Sequence, residues 1–271
     1  MNRSSRLPVT EKIAGSIPVG PAKMERDNSS KIDAVLLCGG IGSRLGEISG
    51  DVPKSLLDVE GKPLIQYALD NLDAAYIRRL IFAVDYQAEQ IQEWIIARNL
   101  PHSGIHFSRQ MQPGILPAID SALNFLVEDA FVVCNTDEIQ LGFSLTQFLE
   151  SYRHSNTLAT MLGVYSNHMY RHRVLTVRET DNLVVKTELE SEHYLHNPEQ
   201  RGLVNGGLVI MNKRAVEYYA PLHSTGWSGI IDPLCDAGQL SVCIMPNVVY
   251  FNTNTADEYR EAVTFLEQQS S

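Results

Sequence analysis

The segment LLCGGIGSRLGEISGDVPKSLLDVEGKPLI, residues 36–65, gathers residue types that handle phosphate. Gly39, Gly40 and Gly42 lack a Cβ, so the backbone there can take unusual dihedral angles and bring its N–H groups against phosphate oxygens. Ser43 adds a hydroxyl donor, and Arg44 offers a planar fork for phosphate oxygens at the point where a triphosphate would be cut. Ten residues beyond Arg44, Pro53-Lys54 puts a point cation on an extended segment, suited to an α-phosphate or a leaving group. Lys54 is expected on an exposed loop, contributing little to the core. The glycine pattern alone is equally a tight turn. Two common phosphate loops are absent: there is no GxxxxGK[ST], and no GxGxxG because Gly40 and Gly42 are followed by Leu45. That pattern disfavours a kinase-like P-loop and a dinucleotide dehydrogenase.

These residues need elements to position them. IDAVLLCGG (32–40) is a continuous apolar run ending in paired glycines, as expected of a strand buried on both faces. PLIQYALDNLDAA (63–75) opens with Pro at a helix start, and RLIFAVDY (79–86) reads as a second buried strand, completing a βαβ unit. Helices over 88–99, 116–128 and 144–155 alternate with strands over 104–110, 130–138 and 157–165. This order predicts an α/β fold with a mainly parallel, doubly wound sheet that takes its ligands at the carboxyl ends of the strands. The second half changes character. Residues 173–190 alternate as a small β-hairpin turning at Asp181-Asn182, 202–213 and 242–253 each read as one strand, and 215–222 as a short helix. Residues 255–269 form a closing amphipathic helix capped by Thr255.

With 271 residues, 44 % hydrophobic and 20 % charged, the chain has the material for a sizeable core, and one main domain over 31–271 is expected. Residues 1–30 are polar and interrupted by Pro8, Gly15, Pro18, Gly20 and Pro21, which predicts a loosely ordered extension. A net charge of −10 with only 22 Lys and Arg argues against nucleic-acid binding, which relies on clustered cations. Cys38, Cys134, Cys235 and Cys243 form no CxxC pair, so neither a zinc site nor a disulfide framework is suggested. No apolar run approaches the roughly 18 residues that cross a bilayer, and the N-terminus lacks a signal-peptide stretch. A reducing cytoplasm is the expected setting, with no membrane partner; self-association is left open.

In order and spacing, GGIGSRL, DVPK and DVEGKPLI resemble the signature of the sugar-1-phosphate nucleotidyltransferase family: a GGxGxRL loop, PK about ten residues on, then V-x-GKP before the next helix. The resemblance implies a Rossmann-like three-layer α/β/α fold whose nucleotide lies against Leu37, Gly39, Gly40, Gly42 and Ser43. MQPGILPAIDSAL (111–123) is similar to the family's PLGTAGAI segment and adds Gly114 to that set. Arg44 and Lys54 would be catalytic, stabilising charge while the sugar phosphate attacks the α-phosphorus of an NTP directly and pyrophosphate leaves. SGDVPK and the GIHFS strand lean toward the mannose- and heptose-1-phosphate guanylyltransferase members, implying GTP.

Mg²⁺ is the implied helper, taking one or two oxygens from protein and the rest from phosphate and water. Asp137 ends the buried strand AFVVCN, where the family carries a similar Asn-Gly-Asp step. YFNTNTADEY (250–259) puts Asn252 in the place of the family's second aspartate, so that ligand would be neutral. On the acceptor side VNGG (204–207) resembles the family's NAG step, implying Asn205 and Gly206 at the sugar, although Asn205 is equally a turn residue. The family's EKP lysine is missing: His196-Asn197-Pro198 stands there, and Lys186, Arg201 or His196 are candidates to replace its charge. Two other readings compete with the enzyme: a non-catalytic sugar-nucleotide-binding relative, for which Asn197 and Asn252 speak, and a nucleotidyltransferase with a non-sugar acceptor.

Overall fold

The computed structural model describes residues 31–189, 201–219 and 225–270. β1 (Ile32–Leu37) is followed by a short hairpin of β2 (Asp58–Val59) and β3 (Lys62–Pro63). Then come α1 (Leu64–Asp70), β4 (Ile77–Val84), α2 (Ala88–Ile96), β5 (Gly104–Arg109), α3 (Ile115–Ala122) and β6 (Ala130–Asn135). β7 (Glu138–Leu141), α4 (Leu145–His154), β8 (Ala159–Ser166), β9 (Arg173–Arg178), β10 (Leu183–Leu189) and β11 (Gly202–Asn212) follow. The described chain closes with α5 (Lys213–Tyr219), α6 (Ser228–Asp236), β12 (Leu240–Ile244), β13 (Val249–Asn252) and α7 (Ala256–Ser270).

Nine strands form one mixed sheet in the order β5-β4-β1-β6-β11-β8-β12-β10-β9. β5, β4, β1 and β6 run parallel to one another, while β11 pairs antiparallel with both β6 and β8. β9 and β10 form the expected hairpin, with Asn182 at φ 54 in its turn. Apolar residues alternate across β1: Ala34 and Leu36 face a core built with α1, α2 and α4, and Val35 faces a second core built with α3, α5 and α6. Helices on both faces make this the expected three-layer α/β/α arrangement. Burying each large side chain, such as Phe82, Phe131 or Phe148, stabilises the layers by about 1.5–3 kcal/mol.

A third, smaller cluster of Leu45, Leu57, Val59, Leu64, Tyr67, Ile139 and Ala262 pins the segment after β1 against β7 and α7. It fixes the glycine loop and Lys54 at the sheet edge.

Several expectations change: the α-helix read over 116–128 ends at Ala122, and the strand read over 130–138 ends at Asn135. Residues 242–253 form two strands, not one: Pro246 has no N–H to give a ladder, and a turn closed by Val248 N–H on the Met245 carbonyl (3.3 Å) separates them. β13 leaves the main sheet and pairs antiparallel with β7, setting Asn252 opposite Glu138. α1 stops at Asp70 instead of running to 75, because the Asp73 carboxylate captures the Ala75 N–H at 2.7 Å in a local turn. α6 is an addition that the sequence did not suggest.

Candidate active site

The register aligns the carboxyl ends of four parallel strands: Leu37 lies beside Ala83 and Asn135, and Val84 beside Arg109. The loops after β1, β4, β5 and β6 therefore open on one edge, bringing together the Gly39–Gly42 loop, Asp85, Gln110 and Asp137. Gly42 sits at φ 71, a left-handed conformation that L side chains resist, and starts the 3-10 turn Ser43–Ile48. A Cβ on Gly39 would lie 3.1 Å from Asp85 Cβ and 3.2 Å from Gln110 Nε2, so this glycine is needed for close approach. Gln110 Nε2 in turn donates to Asp85 Oδ2 at 3.1 Å. Ser43 and Arg44 are exposed, and the Arg44 side chain makes no hydrogen bond or ion pair among the described residues.

Lys54 is not the exposed loop residue the sequence suggests. It is only 5 % exposed, since the third cluster folds its segment down and its stem lies along Gly40 and Gly42. Its Nζ donates to Asp137 Oδ2 and to Asn254 Oδ1, both at 2.6 Å. Asp137 Oδ1 makes no hydrogen bond among the described residues, and the Asp137 side chain keeps 30 % of its exposure. Backbone position is fixed on every side. Ser55 Oγ meets Thr136 Oγ1 at 2.8 Å, Thr136 Oγ1 donates to the Leu37 carbonyl at 2.6 Å, and Thr253 donates to the Asp137 carbonyl from N (3.2 Å) and Oγ1 (2.8 Å).

Asn252 sits across from Glu138, and its Oδ1 accepts the Asn254 N–H at 3.1 Å. That turn aims Asn254 at Lys54. Asn254 joins the site through this contact; in the sequence it is only an amide near Asn252, uninformative until β13 pairs with β7.

Behind Asp137, Glu138 is buried. Its Oε1 accepts from Asn135 Nδ2 at 2.8 Å, while Oε2 packs so closely on Gly207 that a Cβ there would lie 1.6 Å away. Burial, reinforced by the Asp137 charge, pushes the Glu138 carboxyl up to about 8, against the pull of Asn135 and Tyr250. Asn205 Oδ1 accepts the Gly207 N–H at 3.1 Å, which is the turn role, and the Gly206 carbonyl accepts from Gln140 Nε2 at 2.9 Å. Gly114, at φ 133, caps α3, where a Cβ would meet the Thr225 carbonyl at 2.8 Å. Arg201 reaches the Tyr165 carbonyl at 3.4 Å and Lys186 pairs with Glu188 at 2.9 Å. His196 and Asn197, like residues 1–30, lie outside the described residues.

The four cysteines are free and buried, and burial pushes the Cys38 thiol up to about 12, which disfavours the thiolate. No helix among the described residues is long and apolar enough to cross a membrane.

An exposed arginine, a clamped lysine and an open carboxylate oxygen at a glycine-lined edge suit polyphosphate chemistry, and residues 33–269 match the nucleotidyl transferase family. The chain belongs to that family. This nucleotidyltransferase is 28 % identical over 183 residues to D-glycero-alpha-D-manno-heptose 1-phosphate guanylyltransferase of Campylobacter jejuni, covering 67 % of this chain and 76 % of that protein. It is 27 % identical over 246 residues to glucose-1-phosphate thymidylyltransferase of Neisseria gonorrhoeae, covering 86 % and 82 %. In fold it is similar to HddC of Yersinia pseudotuberculosis, solved in complex with GMP-PN (TM-score 0.70, 24 % identity, 87 % of this chain and 99 % of that one). It is likewise similar to UDP-glucose pyrophosphorylase of Acinetobacter baumanii (TM-score 0.72, 18 % identity, 89 % and 94 %).

Proposed function

We propose that this nucleotidyltransferase transfers the nucleoside monophosphate of an NTP, with GTP favoured, to a sugar 1-phosphate of the mannose or heptose kind. The reading rests on the Lys54 ammonium held against Asp137 at 2.6 Å beside the glycine loop and the exposed Arg44. A phosphate oxygen of the sugar attacks the α-phosphorus, the α–β bridging bond breaks, and pyrophosphate leaves. Both reactants are anions, so the cations do the work of bringing them together and of stabilising the charge that builds on the phosphoryl oxygens. Arg44, with its planar fork, serves the departing phosphates, and Lys54 the α-phosphoryl group. Leu37, Gly39, Gly40, Gly42 and Ser43 line the nucleotide, with Gly114 at its far side. The guanylyltransferase names of relatives such as the Campylobacter protein support guanine as the base.

The site fits Mg²⁺. Its candidate donors are hard oxygens: Asp137 Oδ1, open among the described residues, and Asn252 Oδ1, which already accepts the Asn254 N–H and would give the ion only its second lone pair. Mg²⁺ would be held largely through the triphosphate, as this ion usually keeps few protein ligands. When bound, Mg²⁺ supplies positive charge across the phosphates; Asp137 would be its charged ligand and Asn252 its neutral one. Asn205 and Gly206 flank the acceptor sugar in this reading.

A pyrophosphate-release screen of four NTPs against a panel of sugar 1-phosphates tests it. Turnover is expected with at least one pair, with GTP leading. Tight nucleotide binding without turnover on any pair would favour the non-catalytic relative, and turnover only with a non-sugar phosphate would replace the acceptor class.

A further inference from the structure

We propose that Asn254 is the positioning residue of Lys54, a neutral anchor that aims the ammonium without neutralising it; this rests on the function proposed above. An ammonium has three N–H donors. Two are spent, on Asp137 Oδ2 and Asn254 Oδ1, each at 2.6 Å, so the third direction is left for a phosphate oxygen. A four-carbon side chain held by one partner would still swing about it; two fixed oxygens and a stem packed along Gly40 and Gly42 remove that freedom.

The anchor is itself rigid. The Asn254 N–H is held by Asn252 Oδ1 at 3.1 Å, Thr253 is tied twice to the Asp137 carbonyl, and Thr255 begins α7 in a reciprocal cap with Glu258 (2.9 and 3.3 Å). α7 is fastened through Ala262 to the cluster that buries the Lys54 segment. Ammonium and amide are thus carried by two parts of one packed unit, though they lie 200 positions apart in sequence. The type of anchor matters as much as its place. A carboxylate at 254 would put two negative charges on one lysine and weaken its attraction for phosphate, whereas an amide oxygen orients by its dipole alone.

The test uses the full chain with Asn254→Ala and Asn254→Asp, and reads two independent quantities. The first is the rate at which an amine-acylating reagent labels Lys54, followed by peptide mass spectrometry with the other lysines as internal standards. The second is kcat and KM on the best substrate pair. Asn254→Ala is expected to label Lys54 several-fold faster than the unmodified protein and to lower kcat roughly tenfold with KM for both substrates within about twofold. Asn254→Asp, which keeps the oxygen, is expected to restore protection yet still show reduced kcat. Unchanged labelling and unchanged kcat in Asn254→Ala overturn the proposal, as does loss of protection in Asn254→Asp. If the unmodified protein turns over no substrate pair, the proposed function fails, and the labelling still decides whether Asn254 holds Lys54.

Discussion

The Lys54 ammonium and the Asp137 carboxylate meet at 2.6 Å, although 83 positions separate them, because β1 and β6 are neighbours whose carboxyl ends share an edge. Lys54→Ala is expected to lower kcat/KM by about a hundredfold or more, a loss typical of removing one charge-stabilising donor. Because Lys54 is buried, the variant should also lose about 1–2 kcal/mol of stability, through lost packing of its stem. Steady-state kinetics alongside a urea melt separates the two effects.

At the opposite end of β1, Arg79 grips the fully buried Asp33 through Nη2 (2.6 Å) and Nε (3.1 Å), with the Val127 N–H completing the carboxylate's partners at 2.8 Å. Arg79→Met leaves that charge buried without its counter-ion, and should cost about 3–5 kcal/mol. Activity per folded molecule should stay close to normal, since the pair lies away from the nucleotide edge. Chemical denaturation checks the first statement and kinetics at low temperature the second.

Gly207 adopts φ 82 against Glu138. A methyl group at 207 would have to displace the Glu138 carboxylate, so Gly207→Ala is expected to destabilise the protein by about 2 kcal/mol or more. The loss should shrink in Gly207→Ala combined with Glu138→Ala, where the collision is relieved, and a double-mutant cycle on urea midpoints reads that coupling.

His172 is buried edge-on against Tyr250, with ring centroids 5.3 Å apart, and burial, aided by His168 and Arg171, lowers its pKa to about 4. The folded state therefore holds it neutral where the unfolded chain already binds a proton. Stability conferred by the neutral ring is present above the unfolded pKa of roughly 6.5 and is lost as pH falls toward 4, an effect of about 1–2 kcal/mol between pH 7 and pH 5. His172→Phe, which keeps an aromatic ring against Tyr250, should flatten that part of the profile. Urea midpoints measured at pH 5 and pH 7 in both proteins give the comparison.

What could be read from the sequence was local. β1 was visible as an apolar run, the glycine loop as residues without side chains, and the Thr255 cap as a hydroxyl three residues ahead of Glu258. The split of 242–253 was signalled by Pro246, but its consequence, β13 crossing to β7, depends on a partner about 110 residues away in the chain. α6 carries Gly229 and Pro233, both poor helix residues, and forms because the apolar face of Ile230, Ile231 and Leu234 packs on the buried sheet. The burial of Lys54 and the role of Asn254 were out of reach for the same reason: both follow from tertiary contacts that gather residues 45, 57, 139 and 262 around the loop.

Nucleotidyl transfer to a sugar 1-phosphate is read by mass spectrometry of the products. The protein would be incubated with GTP and mannose or heptose 1-phosphate carrying ¹⁸O in its phosphate. The expected products are a sugar nucleotide that retains the label in its sugar-side phosphate and one unlabelled pyrophosphate for each molecule formed, both appearing about a hundredfold or more slowly with Lys54→Ala. Bound GTP with neither product, or pyrophosphate released without a sugar nucleotide, would contradict nucleotidyl transfer to the sugar phosphate.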